Sequence, residues 1–258
     1  MGEHQLSISP LELADMIGTE DAPFIFDVRR KAAYEVAPRV IASARWRDHL
    51  QAHDWASELP KGAPVVVYCV HGHQVSQSAA ALLRARGLPA VYLAGGIEAF
   101  EAVGGTTMRK AEPADDPGGQ PVQWVTGEAP LLGRMACIWL IRRLIDPNAS
   151  IQAVAEDYVV AAAKELGAQA FAAADTGDLS DFDGLLRHFE VSGQALTRLS
   201  AVLQEAERPT ATGHADVGLA TLWDGLVATA KDDATRLERG LILFDGLYAA
   251  VRGEGAGS

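Results

Sequence analysis

A chain of 258 residues is long enough for one large domain or two of ordinary size, each with its own core, and too long to be a small disulfide-stapled module. Hydrophobic residues make up 48% and charged residues 22%, which excludes wholesale disorder, and the formal charge of −12 is unevenly spread. Residues 1–109 hold 10 Lys and Arg against 12 Asp and Glu, whereas residues 110–258 hold 12 against 22, so the second half should repel nucleic acid and anionic membrane.

No apolar run approaches the roughly 18 residues of a membrane span, and Met1-Gly2-Glu3-His4-Gln5 lacks a basic-then-apolar leader. A cytoplasmic address is expected, with neither membrane nor nucleic acid as partner. Cys69 and Cys137 are the two cysteines, far apart in the chain, which argues against a disulfide framework or a cysteine-based zinc cluster.

In chain order, Ser9-Pro10-Leu11-Glu12 combines an N-cap, a proline at the first helical position and a glutamate that closes a capping box, and Gly18 stops this helix. Residues 24–28, 65–68 and 90–93 are continuous apolar runs of strand length, as parallel strands buried on both faces require. Helical patterns over residues 48–59 and 76–86 lie between them. The pattern predicts an α/β domain with a mainly parallel sheet.

Residues 104–123 concentrate Gly, Pro and Asp. The expected organisation is a first domain over 1–104, a linker over 105–121 and a second domain over 122–258. That second domain reads as mostly α-helical, with helices near 131–145, 157–166, 183–189, 195–207, 219–230 and 232–252 and a lone short strand at 151–154. In the last helix Leu237, Leu241, Phe244 and Tyr248 form one apolar stripe.

The chemistry concentrates at Cys69, which follows the strand at 65–68 and precedes Val70-His71-Gly72-His73-Gln74-Val75 and a helix. Backbone N–H groups and the helix dipole favour negative charge at such a junction, so the thiol should ionise below its free value of about 8.5. The other reading is a buried cysteine acting as a small hydrophobe. Asp27, ending the neighbouring strand, either orients the loop or an arginine such as Arg29, or is a plain strand-ending cap.

These stations resemble the rhodanese domain. Asp27-Val28-Arg29 with Tyr34-Glu35, then Tyr68-Cys69 with Gly72, then Leu93-Ala94-Gly95-Gly96 follow its order over residues 6–104. The resemblance implies a sulfurtransferase in which Cys69 takes sulfane sulfur from a small-molecule or protein donor, carries it as a persulfide and passes it to a thiol acceptor. The backbone from Val70 to Val75 would cradle the anionic sulfur, and no cofactor is implied. Many family loops carry arginine where Gln74 stands, and this loop holds no Arg or Lys, so a preference for dianionic thiosulfate is not implied. His71 and His73 either stand in for that cation or are solvent-facing loop residues. Tyr34 and Glu35 read as structural. Phosphatase or arsenate-reductase chemistry needs an arginine six residues after the cysteine, where Val75 stands.

Helical projection of residues 131–145 places Cys137 among Leu140, Ile141 and Leu144, a core position. Arg134 falls in the same arc, where it must snorkel, pair with an acid or bind an anion. His49 and His53 share one helix face without a third ligand, and the Cys69-Val70-His71-Gly72-His73 side chains point apart, so no metal is expected. Trp124-Val125-Thr126, then residues 134–146, then Leu241-Ile242-Leu243-Phe244-Asp245-Gly246-Leu247-Tyr248, resemble the C-terminal domain of the ChrB-type chromate-resistance family over residues 122–252. That implies association with chromate resistance or sensing, with chromate as a candidate oxyanion and Arg134, Arg142 and Arg143 as candidate anion-binding residues. The family's His- and Cys-containing segment is replaced by residues 172–182, which offer Asp175, Asp178 and Asp181, so the domain reads equally as a scaffold. Two functions remain: sulfur transfer linked to oxyanion resistance, and a non-catalytic chromate-responsive regulatory or binding protein.

Overall fold

The computed structural model of the chain describes residues 6–110, 122–207 and 218–253. The N-terminal pentapeptide, residues 111–121 of the linker and the Gly-rich tail after Gly253 lie outside the described residues. The chain divides into two compact units, residues 1–114 with 143–145 and residues 115–142 with 146–258. Among the described residues no helix is long and apolar enough to cross a membrane.

The first unit runs β1 (Ser7–Ile8), α1 (Pro10–Met16), β2 (Phe24–Asp27), α2 (Lys31–Val36), β3 (Arg39–Ile41), β4 (Arg45–Trp46), α3 (Ala52–Trp55), β5 (Val65–Tyr68), α4 (Gln74–Ala85), β6 (Ala90–Leu93), α5 (Gly96–Ala102) and β7 (Thr107–Arg109). Its main sheet has the order β1-β6-β5-β2-β4 with every pair parallel, so the α/β expectation holds. The capping box is present: Ser9 Oγ accepts from Glu12 N at 3.2 Å and Glu12 Oε2 accepts from Ser9 N at 2.9 Å. Strand β5 lies at the sheet's centre, and all four of its residues are at most 2% exposed. Val65 and Val67 join Phe26, Trp55 and Leu83 in one core cluster, where full burial of an aliphatic side chain stabilises by roughly 1.5–3 kcal/mol. The register sets Asp27 opposite Tyr68, bringing the carboxyl ends of β2 and β5 to one edge.

Two expectations differ in this unit. Residues 48–59 form not one helix but α3 between two 3₁₀ turns, His49–Gln51 and Ala56–Glu58. The chain winds tightly there because Trp55 Nε1 donates to the Asp48 carbonyl at 3.1 Å and Asp48 caps Leu50 N at 2.9 Å. Within the expected linker, Thr107–Arg109 is strand β7, antiparallel to β3, and Arg39 donates to the Thr107 hydroxyl and carbonyl at 2.9 and 3.0 Å.

The second unit, with residues 143–145 that interrupt it in the chain, runs β8 (Gln123–Gly127), α6 (Leu132–Leu140), a π-helical turn (Ile141–Ile145), β9 (Ser150–Val154), α7 (Val159–Leu166), β10 (Gln169–Ala170), α8 (Phe182–His188), α9 (Gln194–Ala206), α10 (Leu219–Ala228) and α11 (Asp233–Gly253). It is helix-rich, but the strand at 151–154 is not alone: β10, β8 and β9 make a parallel sheet with β8 in the middle. Trp124 packs near Phe171 and Phe189, while Val125 packs with Val159, Ala162 and Ala163, so β8 is buried on both faces. Of the expected stripe on α11, Phe244 and Tyr248 are buried while Leu237 and Leu241 are half-buried; the buried line runs through Gly240, Phe244, Tyr248 and Val251.

Candidate functional site

The site grows from the break between β5 and α4. Cys69 leaves the strand, the chain turns through Gly72 at φ +69°, and α4 begins after His73. A Cβ on Gly72 would stand 2.5 Å from the Leu93 carbonyl oxygen and 2.6 and 2.9 Å from the N atoms of Gly95 and Gly96, so glycine is required twice over, for backbone conformation and for space. The β6–α5 turn presses from the other side: Gly96, at φ +62°, lies under the Cys69 and Val70 carbonyls, which accept from Ile97 N at 3.0 Å and Glu98 N at 3.3 Å. The Gly95-Gly96 pair thus fixes the loop rather than entering the chemistry.

Cys69 is a free thiol, 7% exposed. Burial pushes it up, but the Ser76 hydroxyl, 3.2 Å from Sγ, and the backbone N–H groups of Ser76, His73 and His71 outweigh burial and hold the thiol below its ordinary value. The sequence suggested a cradle from Val70 to Val75; the stabilising donors come from His71, His73 and Ser76. Ser76, fully buried in the first turn of α4, was not legible as a site residue, although its position seven residues after the cysteine was a signal.

A cavity of about 270 Å³ beside Cys69 is lined by Val70, His71, His73, Gln74, Val75, Ala33, Arg29 and Arg30. Gly72 is buried and does not line it. His71 Nδ1 lies 3.0 Å from Glu98 Oε2, and both side chains are more than half exposed. Arg29 is 4% exposed and locked: its Nε donates to Asp27 Oδ1 and Oδ2 at 2.9 and 2.8 Å, Nη2 pairs with Oδ2, and Nη2 also donates to the Arg39 carbonyl at 3.0 Å. Burial opposes the Arg29 charge, but Asp27 more than compensates and keeps the guanidinium above its ordinary range. Asp27, fully buried, also accepts from the Tyr68 hydroxyl at 3.2 Å. It orients Arg29 and does not reach the cavity. Tyr34 stacks on Trp46, with ring centroids 5.4 Å apart.

Arg30 is the cation that sequence reasoning missed. It is exposed, ends the Asp27-Val28-Arg29-Arg30 run just ahead of α2, and forms no ion pair among the described residues. The loop after Cys69 lacks Arg and Lys, yet the segment between β2 and α2 supplies an exposed arginine to the same cavity.

In the second unit Cys137 is fully buried, and burial, then the charges of Asp181 and Glu207, push its thiol far above the ordinary range. Arg134, read as a candidate anion ligand, is 6% exposed and engages all five of its N–H donors internally. Nε and Nη2 donate to the Ala172 carbonyl, Nη1 to the Ala129 carbonyl, and Nη1 and Nη2 each to Glu156, both at 2.8 Å. Of its three readings, pairing with an acid is the one realised, and it ties together the chain segments that follow β8, β9 and β10. Arg142 lines a separate cavity; Arg143 does not. Among the described residues, no three His, Cys, Asp or Glu side chains gather as metal ligands would.

Residues 9–103 match the rhodanese-like domain family, and residues 124–251 match the ChrB C-terminal domain family. The chain is therefore a rhodanese-like domain, of the sulfurtransferase superfamily, joined to a ChrB C-terminal domain. Among solved structures, it is 28% identical to a rhodanese homolog from Thermus thermophilus, covering 36% of this chain and 99% of that one with a TM-score of 0.30. A rhodanese-like domain protein from Staphylococcus aureus is 26% identical over 37% of this chain and 91% of its own, TM-score 0.34. A rhodanese-related protein from Thermoplasma volcanium is 25% identical over 39% and 94%, TM-score 0.34. No curated protein matches the chain.

Proposed function

We propose that the first unit is a sulfurtransferase that carries sulfane sulfur as a persulfide on Cys69, in a protein serving oxyanion resistance. The observation that carries this reading is the environment of one sulfur: a thiol poised to ionise, held by Ser76 and three backbone N–H groups, beside a cavity with an exposed arginine. The Cys69 thiolate attacks the outer sulfur of a donor such as thiosulfate. A Cys69 S–S bond forms, the donor S–S bond breaks, and sulfite leaves with the bonding pair. An acceptor thiolate then attacks the outer persulfide sulfur and releases the Cys69 thiolate, now as leaving group. The loop donors that stabilise the thiolate serve the persulfide anion in the same way, so both ends of the cycle are stabilised by one cradle. Arg30 is suited to hold the donor's negative charge, with Arg29, whose own charge Asp27 answers, as a fixed wall of the cavity.

The test is a single-turnover reaction with thiosulfate and no acceptor. One equivalent of sulfite per chain is expected, followed by loss of the bound sulfur when a thiol is added. No sulfite release from thiosulfate, together with no thiol release from an organic persulfide, would favour the regulatory or binding alternative.

A further inference from the structure

The second unit contains a cavity of about 200 Å³ along one side of α6, separate from the Cys69 site and from any reading of it. It opens where β8 ends, at Thr126 and Gly127, and continues past Met135 and Ile138 to Arg142. The carboxyl ends of parallel strands are where α/β folds leave room for ligands. Ile151, Trp223 and Leu237 make the remaining walls apolar, as small-molecule sites require.

Thr126 is 1% exposed, lines this cavity, and its hydroxyl has no hydrogen-bond partner among the described residues. A buried hydroxyl left in that state is costly, and native proteins rarely tolerate it without a partner. Arg236 also lines the cavity; its Nε is buried without an acceptor, while its Nη1 reaches Asp233 at 3.1 Å. The cavity's two carboxylates, Glu128 and Asp233, lie exposed at the surface, Asp233 with 91% of its side chain in solvent. Arg134 is no ligand here, since Glu156 and two carbonyls occupy it. A second cavity in the unit, of about 310 Å³, is lined by Asp181, Asp183 and Glu207 and so disfavours anions.

We infer that the α6 cavity binds a small organic carboxylate, its apolar body against Ile138, Ile151 and Trp223 and its charge toward Arg236 and Arg142, with the Thr126 hydroxyl donating to it. A bare oxyanion would answer the Arg236 charge but leave the apolar walls without a partner.

The probe is hexanoate, added to the full chain and followed by thermal unfolding and calorimetry. Saturable binding that raises Tm is expected, whereas hexan-1-ol, which lacks the charge, and sulfate, which lacks the chain, have no comparable effect. Thr126→Val keeps the shape but not the hydroxyl: its Tm without hexanoate should rise, while its hexanoate Kd should weaken by about tenfold, as loss of a charge-assisted hydrogen bond implies. Arg236→Gln should weaken hexanoate comparably. The inference is overturned if hexanoate shows no saturable effect, if sulfate matches it, or if both variants bind hexanoate as well as the native chain.

Discussion

Replacing Ser76 with alanine isolates the largest side-chain contribution to the state of Cys69. The hydroxyl lies 3.2 Å from Sγ and 3.1 Å from the His73 carbonyl, in a fully buried position. Hydrogen bonds to charged groups contribute about 1.5–3 kcal/mol, and the competing His73 carbonyl points to the lower end. At ~1.4 kcal/mol per factor of ten, Ser76→Ala should leave roughly one tenth of the thiolate at any pH below both inflections. The sign follows from the direction of the shift: the native thiol ionises below its ordinary value, and the variant moves back up toward it. Iodoacetamide labelling of Cys69 against pH reads this directly, with Cys137 silent in both proteins. The two profiles should differ about tenfold in acid and converge in alkali, where both thiols are ionised. Superimposed profiles would show that Ser76 does not stabilise the thiolate; a deficit persisting at high pH would show a displaced loop instead.

Arg30→Gln should lower kcat/KM for thiosulfate by about tenfold, and Gln74→Arg should raise it by a similar factor, each reflecting ~1.4 kcal/mol of charge-assisted contact; steady-state kinetics at fixed ionic strength checks both. Gly72→Ala should cost about 2–4 kcal/mol in urea unfolding and slow Cys69 labelling, because the added carbon meets backbone atoms of the β6–α5 turn at a positive φ. Glu156→Gln should destabilise at neutral pH by about 1–2 kcal/mol, since Arg134 keeps its carbonyl partners but loses its counter-charge, partly screened at a half-exposed carboxylate. Arg134 holds the Glu156 carboxyl below its ordinary value, so the pair's contribution is complete above that value and is lost as pH falls through the depressed one; native and variant stabilities should converge in acid.

What the sequence reveals depends on whether the cause is local. The strands at 65–68 and 90–93 and the Ser9 capping box are local patterns, and they stand in the structure as read. Cys69 could be placed because a strand, a short loop and a helix follow each other in the chain. Arg30 and Cys69 share a cavity only because β2 and β5 pair in parallel, a long-range fact that no window of sequence contains. Strand β8 escaped notice because Trp124-Val125-Thr126 is a short apolar run beside a linker, and only pairing with β9 and β10 defines it. Arg134 left three outcomes open because its partner Glu156 lies 22 residues away, beyond the next strand. The polar groups of the α6 cavity are likewise drawn from β8, the π-helical turn after α6, and α11.

The most direct test of Cys69 as sulfur carrier is the intact mass of the native chain, Cys69→Ser and Cys137→Ser after incubation with thiosulfate and removal of excess donor. Serine matches the cysteine in size but cannot accept and release sulfane sulfur. The native chain and Cys137→Ser should each gain the mass of one sulfur, and Cys69→Ser should gain none while remaining folded. A one-sulfur gain on Cys69→Ser, or none on Cys137→Ser when the native chain loads, would contradict the assignment.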